Sequence, residues 1–336
     1  MTADELNDPG HTESDRTGPD RTSKDLSSRT PVPGAPRPAG APPPAGEAPP
    51  AGEVPPAGEA PPDGAPPKRS RAGRNLPAAI GVGVGLGALA IVSLFTVKWT
   101  FLIFMAAVVG LGLWELGRAL GEREIRLPEP PIAVGGALML ALAYTNGTRP
   151  LVAALAVTVI GVLAWRMAGG SAGYLRDTSA GLFALAWLPL MASFVGLMLA
   201  APDGARRVLA FIILPVCSDV GGYAVGVLAG RHPMAPVISP SKTWEGLAGS
   251  VAACVVGGVL VLTLLLHGTW WQGIVLGLAA VAAATLGDLS ESMIKRDLQI
   301  KDMGRVLPGH GGILDRIDSL LITAPVVWLL LTIFLN

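Results

Sequence analysis

The chain of 336 residues is 51% hydrophobic and 15% charged, with 25 basic residues balanced by 25 acidic ones. A soluble domain carries roughly 25% charged residues, so this composition points to lipid as the main solvent. Zero net charge identifies no partner by itself, and nucleic acid is not expected among the partners. Cys217 and Cys254 lie in apolar stretches without a CxxC or Cys/His pattern, which requires no disulfide and argues against a zinc site. The 43 glycines suit closely packed membrane helices, where small side chains let backbones approach.

Residues 1–74 read as a tail distinct from the 75–336 region. Between Ala41 and Pro67 a short unit recurs as PPAGEA, PPAGEV, PPAGEA and PPDGA. Proline at this density removes backbone donors and favours extended conformations, so a disordered, solvated tail is expected. A docking platform for partners is the other reading. No apolar h-region of a secretory signal peptide occurs in the first 75 residues.

The tail ends in Lys68, Arg69, Arg71 and Arg74, a basic cluster of the kind that stays cytoplasmic. A spanning helix takes about 20 mostly apolar residues. That measure predicts an all-α, polytopic bundle of about nine spans, near 76–96, 99–119, 130–146, 150–167, 178–200, 207–229, 245–266, 271–290 and 316–335. The third and fourth are short. Nine spans starting inside place the C-terminus outside. The inner loops then hold Arg118, Arg123, Arg126, Arg176, Arg231, Lys242, Lys295, Arg296, Lys301 and Arg305, whereas outer loops hold Lys98 and Arg149. Arg206 and Arg207 are the exception. Trp99, Trp270 and Trp271 fall at expected interfaces, where indoles prefer to sit.

Ionisable groups within a membrane cost about 2.5–3.5 kcal/mol each at a helix centre, and three segments carry them here. In the sixth span, Asp219 stands about mid-helix, with Gly221 and Gly222 leaving room for another backbone or a ligand. It is either hydrogen-bonded to a neighbouring helix or part of a metal or substrate site. Ahead of the seventh span, Ser239, Ser241 and Lys242 make a phosphate seat at a helix N-terminus, or Ser239 or Ser241 is a plain N-cap. The third segment runs from Thr285 to Ser319. Asp288, Glu291, Ser292 and Lys295 share one helical face by spacing. Arg296, Lys301, Asp302 and Arg305 follow, then Gly309-His310-Gly311-Gly312, and Asp315 and Asp318 on the first turn of the last span. Carboxylates without thiols beside them suit a hard cation such as Mg²⁺. Metal ions with Lys and Arg would neutralise a phosphate under attack by another phosphate, which needs no strong general base. His310 either orients a phosphate or is a structural hydrogen-bonder.

The run from Ser292 through Lys295-Arg296, Lys301-Asp302, Gly304, Leu307-Pro308-Gly309-His310-Gly311-Gly312 to Asp315-Arg316-Ile317-Asp318 resembles the signature of phosphatidate cytidylyltransferases. The stretches Ser218-Asp219-x-Gly221-x-Tyr223 and Ser239-Pro240-x-Lys242-Thr243-x-Glu245-Gly246 are similar to that family's motifs, in the expected order. The resemblance covers roughly residues 76–336 and makes that region a transmembrane catalytic domain. It implies Mg²⁺ dependence, with a second cation, monovalent or divalent, left open. The implied reaction is CTP plus phosphatidic acid giving CDP-diacylglycerol and pyrophosphate, in an inner membrane with the site facing the cytoplasm. Asp219, Asp288 and Asp315 would then bind or support metal. Asp288, Lys295, Arg296, Asp315 and Asp318 would form the catalytic set. Ser239, Lys242, Lys301, Arg305, His310 and Arg316 would hold phosphate oxygens. The family commonly has a basic residue where Ser241 stands, so one phosphate contact is weaker here or comes from elsewhere. A homodimer is implied as well. A CTP-dependent kinase or cytidylyltransferase of another membrane lipid, and a secondary transporter using Asp219, are the competing readings.

Overall fold

The structure, a computed structural model, describes residues 76–304, 306 and 311–335, all within the compact unit Arg69–Asn336. The tail over 1–74, Arg305 and His310 lie outside the described residues. Among these residues the chain forms α1 (Leu76–Thr96), α2 (Lys98–Gly121), α3 (Glu129–Asn146) and α4 (Thr148–Ala168). Then come α5 (Tyr174–Ala200), α6 (Gly204–Ala229), α7 (Trp244–Leu265), α8 (Trp270–Asp297) and α9 (Leu314–Leu335). Seven of these, α2 and α4 to α9, are long and apolar enough to cross a membrane, and the chain is a multi-pass membrane protein. Of the two short spans expected, the one at 150–167 lengthens to α4 and joins the seven. The one at 130–146 becomes α3, which with α1 stands outside them.

Local chemistry explains where the helices turn. Gly147, at φ +79°, is the single residue between α3 and α4, a backbone position that favours glycine. A π-helical turn spans Ala186–Leu190 in α5, where Pro189 lacks an N–H and widens the ladder. Thr269 and Gln272 form a capping box that starts α8. One feature lies outside the all-helical expectation. Between α6 and α7, β1 (Pro233–Ala235) and β2 (Ser239–Thr243) pair antiparallel, Pro233 opposite Thr243 and Ala235 opposite Ser239.

Glycine contacts bring α6, α7 and α8 into backbone contact. A Cβ on Gly221 would lie 2.6 Å from the Gly249 carbonyl oxygen, and one on Gly249 would lie 2.5 Å from that of Gly221. Gly258 and Gly273 do the same between α7 and α8. The space beside Gly221 is therefore filled by another backbone, α7, which anchors the elements on either side of the site. The cysteines stay unpaired, and Cys254 donates to the Leu214 carbonyl at 3.3 Å. Arg207, which disagrees with the expected charge distribution, is buried and its Nε donates to Asp203 Oδ1 at 2.7 Å.

Candidate active site

Helices joined by short turns alternate direction, so the C-terminal ends of α2, α6 and α8 meet the N-terminal ends of α7 and α9. Contacts across that end confirm the arrangement. Lys242 on β2 is ion-paired with Asp288 on α8. Lys295 of α8 pairs with Glu291 one turn earlier and with Asp315 Oδ1 of α9 at 3.0 Å. Arg123, just past α2, donates to the Leu298 carbonyl at 2.6 Å.

Two sub-sites result. The first is a cleft of about 250 Å³ lined by Asp219, Ser241, Lys242, Thr243, Gly246 and Asp288, among others. Asp219 and Asp288, 69 positions apart in sequence, thus share one cavity with a lysine, and the charge of Asp288 acts on Asp219 across it. Lys242 and Arg316 act on Asp219 in the opposite sense. The second sub-site is the crossing of α8 and α9. A Cβ on Gly287 would lie 2.5 Å from the Asp318 carbonyl oxygen, so only glycine lets the two helices come this close. That approach sets the Asp318 carboxyl, 7% exposed, against those of Asp288 and Glu291. Glu291 is itself 2% exposed, and its Oε1 has no hydrogen-bond partner among the described residues. Asp315 is better satisfied: Oδ2 accepts from the Gly312 amide at 2.9 Å and the Met303 amide at 3.2 Å.

The expected face of α8 is thus real, but its members divide. Asp288 turns to the 250 Å³ cleft, while Glu291 and Lys295 turn to Asp315. Arg296 stands apart from both, its Nε donating to the Ile238 carbonyl in the hairpin turn at 3.3 Å. Ser239 opens β2. Lys301 is exposed and lines a separate cleft of about 630 Å³ with Glu115, Arg118 and Asp302. Arg316 lines an apolar groove of about 460 Å³ with residues of α1, α2, α5, α6 and α9. Arg305 and His310 cannot be placed, being outside the described residues.

The N-cap expectation is corrected. Neither Ser239 nor Ser241 caps α7; both are in β2, and Thr243 does so, its Oγ1 accepting from the Gly246 amide at 3.1 Å. Glu245, in the first turn of α7, accepts from the Arg231 and His232 amides at 3.1 and 3.2 Å and so ties down the hairpin that carries Lys242. Sequence reasoning passed over Glu115, a carboxylate on α2 that is 1% exposed. Its signal was present, since it is an acid inside an apolar span.

A bundle end that gathers carboxylates and lysines from three membrane helices and a hairpin fits chemistry on phosphates. A model of the cytidylyltransferase family matches residues 77–334. The chain belongs to that family. It is 42% identical over 279 residues to a protein named phosphatidate cytidylyltransferase from Mycobacterium leprae, covering 78% of this chain and 89% of that one. A protein of the same name from Mycobacterium bovis is 40% identical over 277 residues, covering 79% and 90%. One from Brucella suis is 40% identical over 133 residues, 40% of this chain and 49% of the other. In this cytidylyltransferase, no group of three or more His, Cys, Asp or Glu side chains among the described residues is arranged to hold a metal ion. Lysine ammonium groups stand against Asp288 and Asp315 instead.

Proposed function

We propose that this enzyme transfers the cytidylyl group of CTP to the phosphate of phosphatidic acid. A lipid phosphate oxygen attacks the α-phosphorus of CTP. The bond from that phosphorus to the bridging oxygen of the β-phosphate breaks, and pyrophosphate leaves with the electron pair. CDP-diacylglycerol is the other product. The nucleophile is ionised near neutral pH, so no side chain has to remove a proton. What the protein must do is hold two anions together, and that is a task for cations and aligned geometry.

The observation that carries this reading is the convergence of Asp219, Lys242, Asp288, Lys295 and Asp315 at one end of a membrane bundle. The apolar groove reaching Arg316 adds support, because a lipid substrate needs its chains in an apolar space while its phosphate meets charge. Lys242 and Lys295 would neutralise phosphate oxygens, each oriented beforehand by a carboxylate. Arg316 would meet the lipid phosphate from the groove side.

Mg²⁺ fits the donor set in one specific way. It binds through one or two carboxylates, with substrate phosphates and water supplying the rest, so a cage of three protein ligands is not needed. The facing carboxyls of Asp288 and Asp318, with Asp219 across the cleft and the unpartnered Glu291 Oε1 close by, are oxygen donors of that kind. When bound, the ion would withdraw charge from the phosphates. A second cation finds its chemistry in the same carboxylates.

The site end holds Arg118, Arg123, Arg176, Arg231, Lys242, Lys295 and Arg296, and the other end Lys98, Arg149, Arg206 and Arg207. This bias supports a cytoplasmic site in a cell membrane. A homodimer rests on the family resemblance alone, and cross-linking in native membranes tests it.

The deciding assay uses the purified full chain with phosphatidic acid and CTP labelled at the α- or the γ-phosphate. The α-label should enter a lipid only with Mg²⁺ present, with pyrophosphate released in equal amount. Transfer of the γ-label to a lipid would make the protein a kinase and remove the reading.

A further inference from the structure

The loop from Leu298 to Ile313 connects the two helices of the site, yet the helix that holds it belongs to neither. Arg123, just past the end of α2, accommodates the loop's start, donating to the Leu298 carbonyl and to Gln299 Oε1 at 2.6 and 3.1 Å. Glu115, further back on α2, meets its end. Glu115 Oε2 accepts from the Leu314 amide at 3.0 Å. Two loop glycines press on the same carboxylate: a Cβ on Gly304 would lie 2.2 Å from Oε1, and one on Gly312 would lie 2.7 Å from Oε2. A side chain at either position would force the Glu115 carboxylate out of its place between them.

Glu115 is expensive where it stands. It is 1% exposed, and its Oε1 has no hydrogen-bond partner among the described residues. A buried acceptor left unsatisfied destabilises the fold, and more so when charged. An apolar residue would bury as well and avoid that cost, but it could not accept from Leu314. The buried loop residues Leu298 and Met303, with Leu314 at the start of α9, belong to the same apolar cluster as Leu116 and Leu120 of α2, so packing alone would keep the loop near α2. What the carboxylate adds is register. It sets where Gly304 and Gly312 stop, and therefore where Met303 and Gly312 present their amides to Asp315, the partner of Lys295.

We propose that Glu115 is a positioning residue for cytidylyl transfer, acting through the Gly304 and Gly312 backbone on the Asp315–Lys295 pair. The inference rests on the proposed reaction. It predicts a kinetic coupling between α2 and a loop about 190 positions away, of the kind that neighbours in contact display.

The test measures initial rates with CTP and phosphatidic acid for the purified full-length wild type, E115Q, E115A, G304A and the E115A/G304A double variant, with thermal stability recorded for each. In E115A, kcat/KM for CTP should fall by about tenfold or more in folded protein, the scale on which misplacement by about an ångström acts, beyond what any fall in melting temperature accounts for. E115Q keeps an acceptor for Leu314 and should stay within about threefold of wild type. G304A should fall further than E115A, because its methyl collides with Oε1. The double variant should match E115A alone, since removing the carboxylate removes the collision. Should E115A fail to assemble, E115D takes its place, with the charge kept and the reach one methylene shorter. Losses that multiply independently in the double variant, or that follow melting temperature and spare kcat/KM in folded protein, would overturn the proposal. A wild type that does not turn over CTP would instead sink the proposed function, so the two failures are distinguishable.

Discussion

The two ends of the bundle satisfy their polar groups by opposite means. At the end away from the site, side chains close helices. Lys98 donates to the Leu199 and Ala201 carbonyls at 3.1 and 3.3 Å, the Thr269–Gln272 box starts α8, and Arg207 pairs with Asp203 within the first turn of α6. Lys98 there answers a need of the backbone, and Arg207 pairs with a carboxylate four positions away in its own helix turn. At the site end, Asp219, Asp288, Glu291, Asp315 and Asp318 are set against one another and against Lys242 and Lys295. Like charges held together in a poorly solvated place destabilise the fold, so the difference between the ends is what marks one of them as functional.

That comparison can be broken by substitution, and the largest effect is expected at Asp288. D288N should lower turnover on the order of 100- to 1000-fold, the usual loss when a preorganised charged group is removed from a transition-state site. Membrane insertion should be intact, as judged by extraction and size-exclusion profile. Normal activity would remove Asp288 from the mechanism. K295M leaves Glu291 and Asp315 without their shared ammonium group. A fall in kcat of about 100-fold is expected, and a rise in KM for CTP should accompany it if Lys295 also binds ground-state phosphate.

Smaller effects sharpen the contrast. G287A inserts a methyl 2.5 Å from a backbone oxygen at the α8–α9 crossing, and overpacking of this kind costs about 1–3 kcal/mol. Thermal melting and activity should fall together. Gly110 has nothing within 4 Å of its missing Cβ, so G110A should leave both unchanged or raise stability by up to about 1 kcal/mol through helix propensity. At the far end, K98A should cost about 1.5–3 kcal/mol, as for a hydrogen bond from a charged donor, with kcat unchanged per folded molecule. A large drop in kcat for K98A would mean that the ends are not separate in function.

Much of this was legible from residue order. The spans at 178–200, 207–229 and 245–266 were read to within a few residues, because hydropathy over about 20 positions is a sum that needs no knowledge of neighbours. The single face carrying Asp288, Glu291 and Lys295 followed from helical spacing. Less was legible where choices compete at close range. Ser239, Ser241 and Thr243 are three hydroxyls within five positions, and only the path of the hairpin decides that Thr243 meets the Gly246 amide. The hairpin itself has strands of three and five residues, the second containing Pro240, too short and too interrupted for a period to show. Glu115 was hidden differently, since its partners, Gly304, Gly312 and Leu314, are about 190 to 200 positions away.

Sequence by itself determined that this protein lives in a membrane, how its helices follow one another, and which ionisable groups are too costly to be incidental, because each of those follows from local composition and spacing. Tertiary structure decided which carboxylate faces which lysine, that Gly221 and Gly287 make room for backbones, and that α2 reaches the loop of the site. Pairings of that kind depend on how closely distant segments can approach, a distance set by the packing of whole helices and written in no single stretch of the chain.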